Sequence, residues 1–138
     1  MLKVVIDTNI VISAAITPSG NCAKIIDIIA KNEEVRLYYN KEILFEYKEV
    51  LSRKYFKIAD KIQKGIIESI KKVGIKIVPN PSEISLPDES DRIFYDAARA
   101  AGAFLITGNK KHYPVEYFII LPSEFLKLLN KPNETPWL

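Results

Sequence analysis

Val4-Val5-Ile6-Asp7-Thr8-Asn9 is the stretch on which the fold turns. Three consecutive β-branched apolar residues with no polar alternation mark a strand buried on both faces, as in a parallel sheet covered by helices. The apolar run stops at Asp7. A carboxylate directly after a central parallel strand stands at the carboxyl edge of the sheet, where doubly wound folds bind ligands. Outward from this strand, a short helical segment begins near Asn9. Past the turn Pro18-Ser19-Gly20, the apolar set Ala23, Ile26, Ile29 and Ala30 predicts a second helix. Val35 to Tyr39 reads as the next strand. Helical spacing then returns in Glu42 to Leu51, and again in Ile58 to Val73, which Gly74 ends. Ile75 to Val78 reads as a short strand and Pro79 through Pro87 as a polar, flexible loop. A helix from about Asp91 to Ala101 stops at Gly102. The strand Ala103 to Ile106, a polar turn, the strand Phe118 to Leu121 and a helix opened by Pro122 follow. This alternation predicts an α/β fold with a parallel sheet and helices on both faces.

The chain has 138 residues, 48% hydrophobic and 27% charged, the size and balance of one folded domain rather than a disordered or fibrous chain. The expected domain covers residues 1–130, and the segment from Lys131 to Leu138, with Pro132, Pro136 and Trp137, is a short tail. Cys22 is the single cysteine, which excludes an internal disulfide and a cysteine-based zinc site and fits a reducing compartment. Met1 to Ile6 is too short for a signal peptide, and no run approaches the roughly 20 apolar residues of a membrane span. A cytoplasmic protein without membrane association is expected. Lys and Arg exceed Asp and Glu by 20 − 17 = 3, a mild basic excess that permits nucleic-acid binding without requiring it.

Several acidic residues are placed to do chemistry. Asp7 is a candidate by its position, with simple helix capping as the alternative. Glu46 flanks the apolar stripe of its helix one turn from Ile43 and Val50, either facing a cleft or solvated at the edge. Asp88, Glu89 and Asp91 approach the positive end of a helix, where Asp88 and Glu89 read as capping residues. Asp96 has Arg92 and Arg99 at ion-pair spacing, and lies well over a right angle from Asp91 around the helix axis. Thr8 and Asn9 read as hydrogen-bonding supports. Thr107-Gly108-Asn109 occupies the same sheet edge as Asp7 if the strands are parallel, followed by Lys110, Lys111 and the only histidine, His112. Those lysines can hold a phosphate backbone, and His112 either packs locally or acts as a base. Arg53, Lys54, Lys57, Lys61 and Lys64, interleaved with Tyr55 and Phe56, form either a second grip on a nucleic-acid strand or a solvated face.

Taken together, Val4-Val5-Ile6-Asp7-Thr8-Asn9, the Glu46-Tyr47 helix, Asp91 leading an alanine-rich helix, and Thr107-Gly108-Asn109-Lys110-Lys111-His112 resemble the PIN-domain family, collinearly from residue 2 to about residue 125. The resemblance implies a three-layer α/β/α fold with a central parallel sheet of about five strands. It implies Asp7, Glu46 and Asp91 as the acidic core of a site holding Mg²⁺ or Mn²⁺, with Thr8, Asn9, Thr107 and Asn109 supporting it. Many members carry aspartate where Asn109 stands here, and Asp96 is the expected substitute as a metal ligand. The implied activity is hydrolysis of single-stranded RNA, with Lys110, Lys111, Arg53, Lys54 and Lys57 on the nucleic acid. Among PIN domains the Thr-Gly-Asn-Lys-Lys-His form resembles prokaryotic toxins of toxin–antitoxin pairs, so an antitoxin partner and a homodimer are what the resemblance implies. One alternative is a PIN fold that binds RNA or protein without turnover. A phosphatase of the haloacid-dehalogenase type also begins with aspartate after a buried strand, but needs a second aspartate where Asn9 stands.

Overall fold

The computed structural model describes residues 1–130, so the tail 131–138 lies outside the described residues. Five strands form one sheet: β1 (Leu2–Ile6), β2 (Val35–Tyr39), β3 (Ile75–Lys76), β4 (Phe104–Ile106) and β5 (Ile119–Ile120). Their order is β3-β2-β1-β4-β5, and every pairing is parallel. The chain moves from β1 to one edge, then crosses back over β1 to build the other. The first strand thus becomes the centre and the switch point of the sheet. Val4, Val5 and Ile6 are fully buried there, each contributing roughly 1.5–3 kcal/mol by burial.

The helices are α1 (Thr8–Ile16), α2 (Asn21–Lys31), α3 (Lys41–Leu51), α4 (Asp60–Val73), α5 (Arg92–Ala101) and α6 (Pro122–Asn130). α2 and α4 pack on β2, α5 packs across β1, β2 and β4, and α6 lies against α2. Right-handed crossovers put the helices before β3 on one face and α5 on the other, giving the three-layer α/β/α arrangement. None of the described helices is long and apolar enough to cross a membrane.

The differences from the sequence reading have local causes. The buried face of α2 is centred on Ile25 and Ile29, not on Ala23 and Ala30, because α1, α4 and α6 enclose it from several sides. β3 is only Ile75–Lys76. Ile77 still donates to the Tyr39 carbonyl at 2.9 Å, but Val78 is exposed and Pro79 has no amide to continue the ladder. α4 begins at Asp60 rather than Ile58, after a 3-10 turn (Lys54–Phe56) closed by Lys57 in the left-handed region at φ 55°.

The loop from Pro79 to Pro87 is anchored rather than free. Asp96 accepts from the Ser82 amide at 3.2 Å and from its hydroxyl, and Arg92 donates to the carbonyls of Ser82 and Ile84 at 2.7 and 2.6 Å. Leu86 seals the anchor by entering the core.

Two glycines end helices for different reasons. Gly102 adopts φ 64°, the left-handed C-terminal turn that favours glycine. Gly74 has ordinary dihedrals but no room: a Cβ would stand 2.6 Å from the Ile70 carbonyl and from the Tyr39 ring. Gly74→Ala is therefore expected to destabilise the protein by about 1–3 kcal/mol through overpacking. Gly65→Ala, on the open face of α4 with nothing within 4 Å, should stabilise it by roughly 0.5–1 kcal/mol. Urea unfolding midpoints of the two variants measure both effects.

Candidate active site

β1 and β4 run side by side with Ile6 opposite Ile106, so the next residues along each strand, Asp7 and Thr107, are neighbours at the carboxyl edge. Thr107 Oγ1 donates to Asp7 Oδ2 at 2.9 Å. Tyr113 OH reaches the same oxygen at 2.9 Å from the turn after β4. Asn9 Nδ2 lies 3.4 Å from both Asp7 Oδ2 and Thr107 Oγ1, and Asn9 Oδ1 accepts from the Gly108 amide at 3.1 Å. Asp7 occupies the N-cap position of α1 without a side-chain capping bond. Its carboxylate turns across the sheet edge instead.

α3 brings Glu46 to the same edge because its neighbour Tyr47 is fully buried and donates its hydroxyl to the Ile6 carbonyl, the last of β1. With that rotation set, Glu46 Oε2 accepts from Thr8 Oγ1. Asp91 arrives at the end of a 3-10 turn (Glu89–Asp91) that leads into α5. Its Oδ2 is buried without a hydrogen-bond partner among the described residues, and His112 Nδ1 stands 3.5 Å away. The His112 ring is held by Asn109, whose Nδ2 lies 3.0 Å from Nε2.

These three carboxylates interact by charge across long sequence separations. Burial pushes the Glu46 carboxyl up, and the Asp7 charge adds to it. Burial, followed by the charges of Asp7, Asp88 and Glu46, pushes the Asp91 carboxyl up to about 6 against the pull of His112. Asp7 is raised by burial as well, while the Thr107 and Tyr113 hydroxyls work against the rise. The separations remain open. Among the described residues, the one group of three metal-competent side chains with ligand atoms within 4.8 Å of one another is Asp88, Asp91 and His112, not one that includes Asp7. Asp88 keeps the capping role read from sequence, accepting from the Ser90 amide at 2.9 Å and hydroxyl at 2.7 Å.

Asp96 does not join this group. It is buried, but both its oxygens are engaged by Ser82 and it lies 3.9 Å from Arg92, so it anchors the 79–87 loop. A helix cannot aim residues five apart at one point, and here the second points to the loop. The basic residues divide in a similar way. Lys110 is tied to Glu124 at 2.7 Å and Arg53 to Glu49 at 2.9 Å. Lys54, Lys57 and Lys111 are exposed and without an ion-pair partner among the described residues. Tyr113 escaped the sequence reading, and Tyr47 entered it only as part of its helix, without its hydroxyl bond to Ile6. Their only signal was a hydroxyl-bearing aromatic beside a polar motif.

A family model described as the PIN domain matches residues 3–111. The chain belongs to the PIN-domain family. This PIN domain is 38% identical over 113 residues to an uncharacterized protein of Methanocaldococcus jannaschii, a match covering 79% of this chain and 72% of the relative. Its fold is similar to that of a chain in the crystal structure of VapBC2 from Rickettsia felis bound to a DNA fragment from their promoter. That likeness has a TM-score of 0.54 and 18% identity, covering 87% of this chain and 97% of the other.

The raised carboxyl of Asp91 sets a pH dependence. Between its ordinary 3.8 and about 6, the folded PIN domain holds a proton that the unfolded chain has released. Ionising Asp91 therefore removes stability as pH rises through that window, and Asp7 and Glu46 act with the same sign. Urea unfolding at a series of pH values is expected to show wild type losing stability relative to Asp91→Asn between about pH 4 and pH 6. Asp96→Ala should cost about 3 kcal/mol by stranding Ser82 and Arg92, measured by the same urea unfolding.

Proposed function

We propose that this PIN domain is a metal-dependent ribonuclease that hydrolyses phosphodiester bonds of single-stranded RNA, with Asp7, Glu46 and Asp91 as the residues that hold Mg²⁺ or Mn²⁺. One observation carries the reading. At the end of the central strand the charge of Asp7 raises the carboxyls of Glu46 and Asp91 on top of their burial, and Oδ2 of Asp91 is buried without a hydrogen-bond partner among the described residues. Like charges that act on one another at one sheet edge disfavour ionisation, and a bound cation would offset that cost. An oxygen-dominated donor set at an open site suits hard ions that keep part of their water.

A bound divalent ion would supply Lewis acidity, polarising the phosphodiester and making water a stronger acid. The protein's residues supply the rest. Asp7, Glu46 and Asp91 fix where the ion sits, and Thr8, Thr107 and Asn9 hold those carboxylates in place through their hydrogen bonds. Asn109 acts one step removed, by orienting His112 beside Asp91. Lys111 at the rim of the site, with Lys54 and Lys57 past the end of α3, offers exposed cations to the phosphate backbone, and exposed Tyr55 offers a stacking surface. Lys110 and Arg53 would contribute after leaving their carboxylate partners. Water attack at phosphorus is expected to leave a 5′-phosphate and a 3′-hydroxyl.

We further propose that this protein acts in the cytoplasm as the toxin of a toxin–antitoxin pair, held by an antitoxin and able to dimerise; the likeness in fold to a chain of VapBC2 supports the pairing. A second reading, an RNA- or protein-binding PIN module without turnover, is favoured by Asn109, which spends its amide on His112 and brings no charge to the cluster. Cleavage of a fluorescent single-stranded RNA with Mn²⁺ decides between them. Wild type is expected to cut, and Asp7→Asn to be slower by about 100-fold or more. Equal rates for both proteins would reject the site. Binding without cleavage by wild type would select the second reading.

A further inference from the structure

Asp7 Oδ2 is already saturated. A carboxylate oxygen offers two lone-pair directions, and here two hydroxyls occupy them, Thr107 Oγ1 and Tyr113 OH, each at 2.9 Å, with Asn9 Nδ2 more distant at 3.4 Å. No side chain among the described residues donates to Oδ1. Tyr113 is itself 4% exposed and stands in the turn after β4, so the surrounding packing holds its hydroxyl in this direction. Thr107 Oγ1 is also fully committed, donating to Asp7 while accepting from the Asn109 amide at 3.1 Å. The carboxylate of Asp7 is therefore held in rotation with Oδ2 engaged by two hydroxyls and Oδ1 without a side-chain donor among the described residues.

From this geometry we infer that Tyr113 is a specificity-determining positioning residue, which makes Asp7 a one-oxygen ligand and thereby selects a small octahedral cation over Ca²⁺. The inference rests on the metal-site reading above. Mg²⁺ and Mn²⁺ accept single carboxylate oxygens at about 2.1 Å in near-octahedral shells, whereas Ca²⁺ takes six to eight oxygens at roughly 2.3–2.6 Å and readily uses both oxygens of one carboxylate. Both hydroxyls on Oδ2 close that second mode. Phenylalanine at position 113 keeps the buried ring, removes one of the two donors and frees Oδ2 to chelate. Nothing in the role of Tyr113 requires it to touch the ion or the substrate. It acts through Asp7.

The test is metal binding rather than turnover. Mn²⁺ and Ca²⁺ affinities are measured by calorimetry on wild type, Asp7→Asn, Tyr113→Phe and Thr107→Val, with circular-dichroism melts to establish folding. Wild type is expected to bind Mn²⁺ and to prefer it to Ca²⁺, and Asp7→Asn to lose that binding. Tyr113→Phe should weaken Mn²⁺ by roughly 10-fold while Ca²⁺ affinity holds or rises, so the preference narrows. Thr107→Val, which removes the other hydroxyl, should narrow it in the same direction and decides the matter should the first variant fold poorly. An unchanged Mn²⁺-to-Ca²⁺ ratio in folded variants overturns the role of Tyr113 and leaves the metal site standing. Absence of Mn²⁺ binding by wild type overturns both.

Discussion

Asp7, Glu46 and Asp91 repel one another at the end of a strand that the core does not let move, and much of the surrounding structure exists in relation to that repulsion. Val4, Val5 and Ile6 are fully buried, so the exit point of Asp7 is defined by close packing on both faces of the sheet. The carboxylates cannot relax apart by bending the strand. Burial, joined at Glu46 and Asp91 by the charge of Asp7, is expressed as raised proton affinity instead, and the Asp91 carboxyl is pushed up to about 6. A hard cation answers the same electrostatic demand as a proton, and it is this equivalence that links the fold to the proposed chemistry.

Neutral donors, not cations, support the cluster from the protein side. Thr8 serves Glu46, while Thr107 and Tyr113 serve Asp7. Hydroxyls orient a carboxylate and partly stabilise its charge without cancelling it, so attraction for a divalent ion is preserved. The basic side chains nearby are either directed elsewhere, as Lys110 is toward Glu124, or exposed beyond the cluster, as Lys111 is. His112 is the exception. It stands beside Asp91 under the control of Asn109.

The loop before α5 shows the same economy of polar contacts in a structural setting. Asp96 and Arg92, one turn apart on α5, grip Ser82 from two sides, and Arg92 also binds the carbonyl of Ile84 and the carboxylate of Glu89. The segment leading to Asp91 is therefore tethered at Ser82 and at Glu89, which limits how far the unpartnered carboxylate can swing from its neighbours. A buried aspartate in this helix holds the loop that leads to Asp91.

The order of elements, the parallel sheet and the meeting of two strand ends were legible in the chain itself. An unbroken β-branched run favours a doubly covered strand, and helix–strand alternation leaves few topologies. Asp7 and Thr107 share that legibility, because position at a strand end follows from topology alone. Glu46 was legible only to within a choice between cleft and solvent, which the burial of Tyr47 and its bond to Ile6 resolved by fixing the rotation of α3. Asp96 and Tyr113 were decided by tertiary structure entirely. Where a helical carboxylate points, and which hydroxyl of a turn folds back onto a strand end, depend on partners such as Ser82 and Asp7 that are distant in sequence. Periodicity states which face a residue occupies, whereas only packing states what stands opposite it.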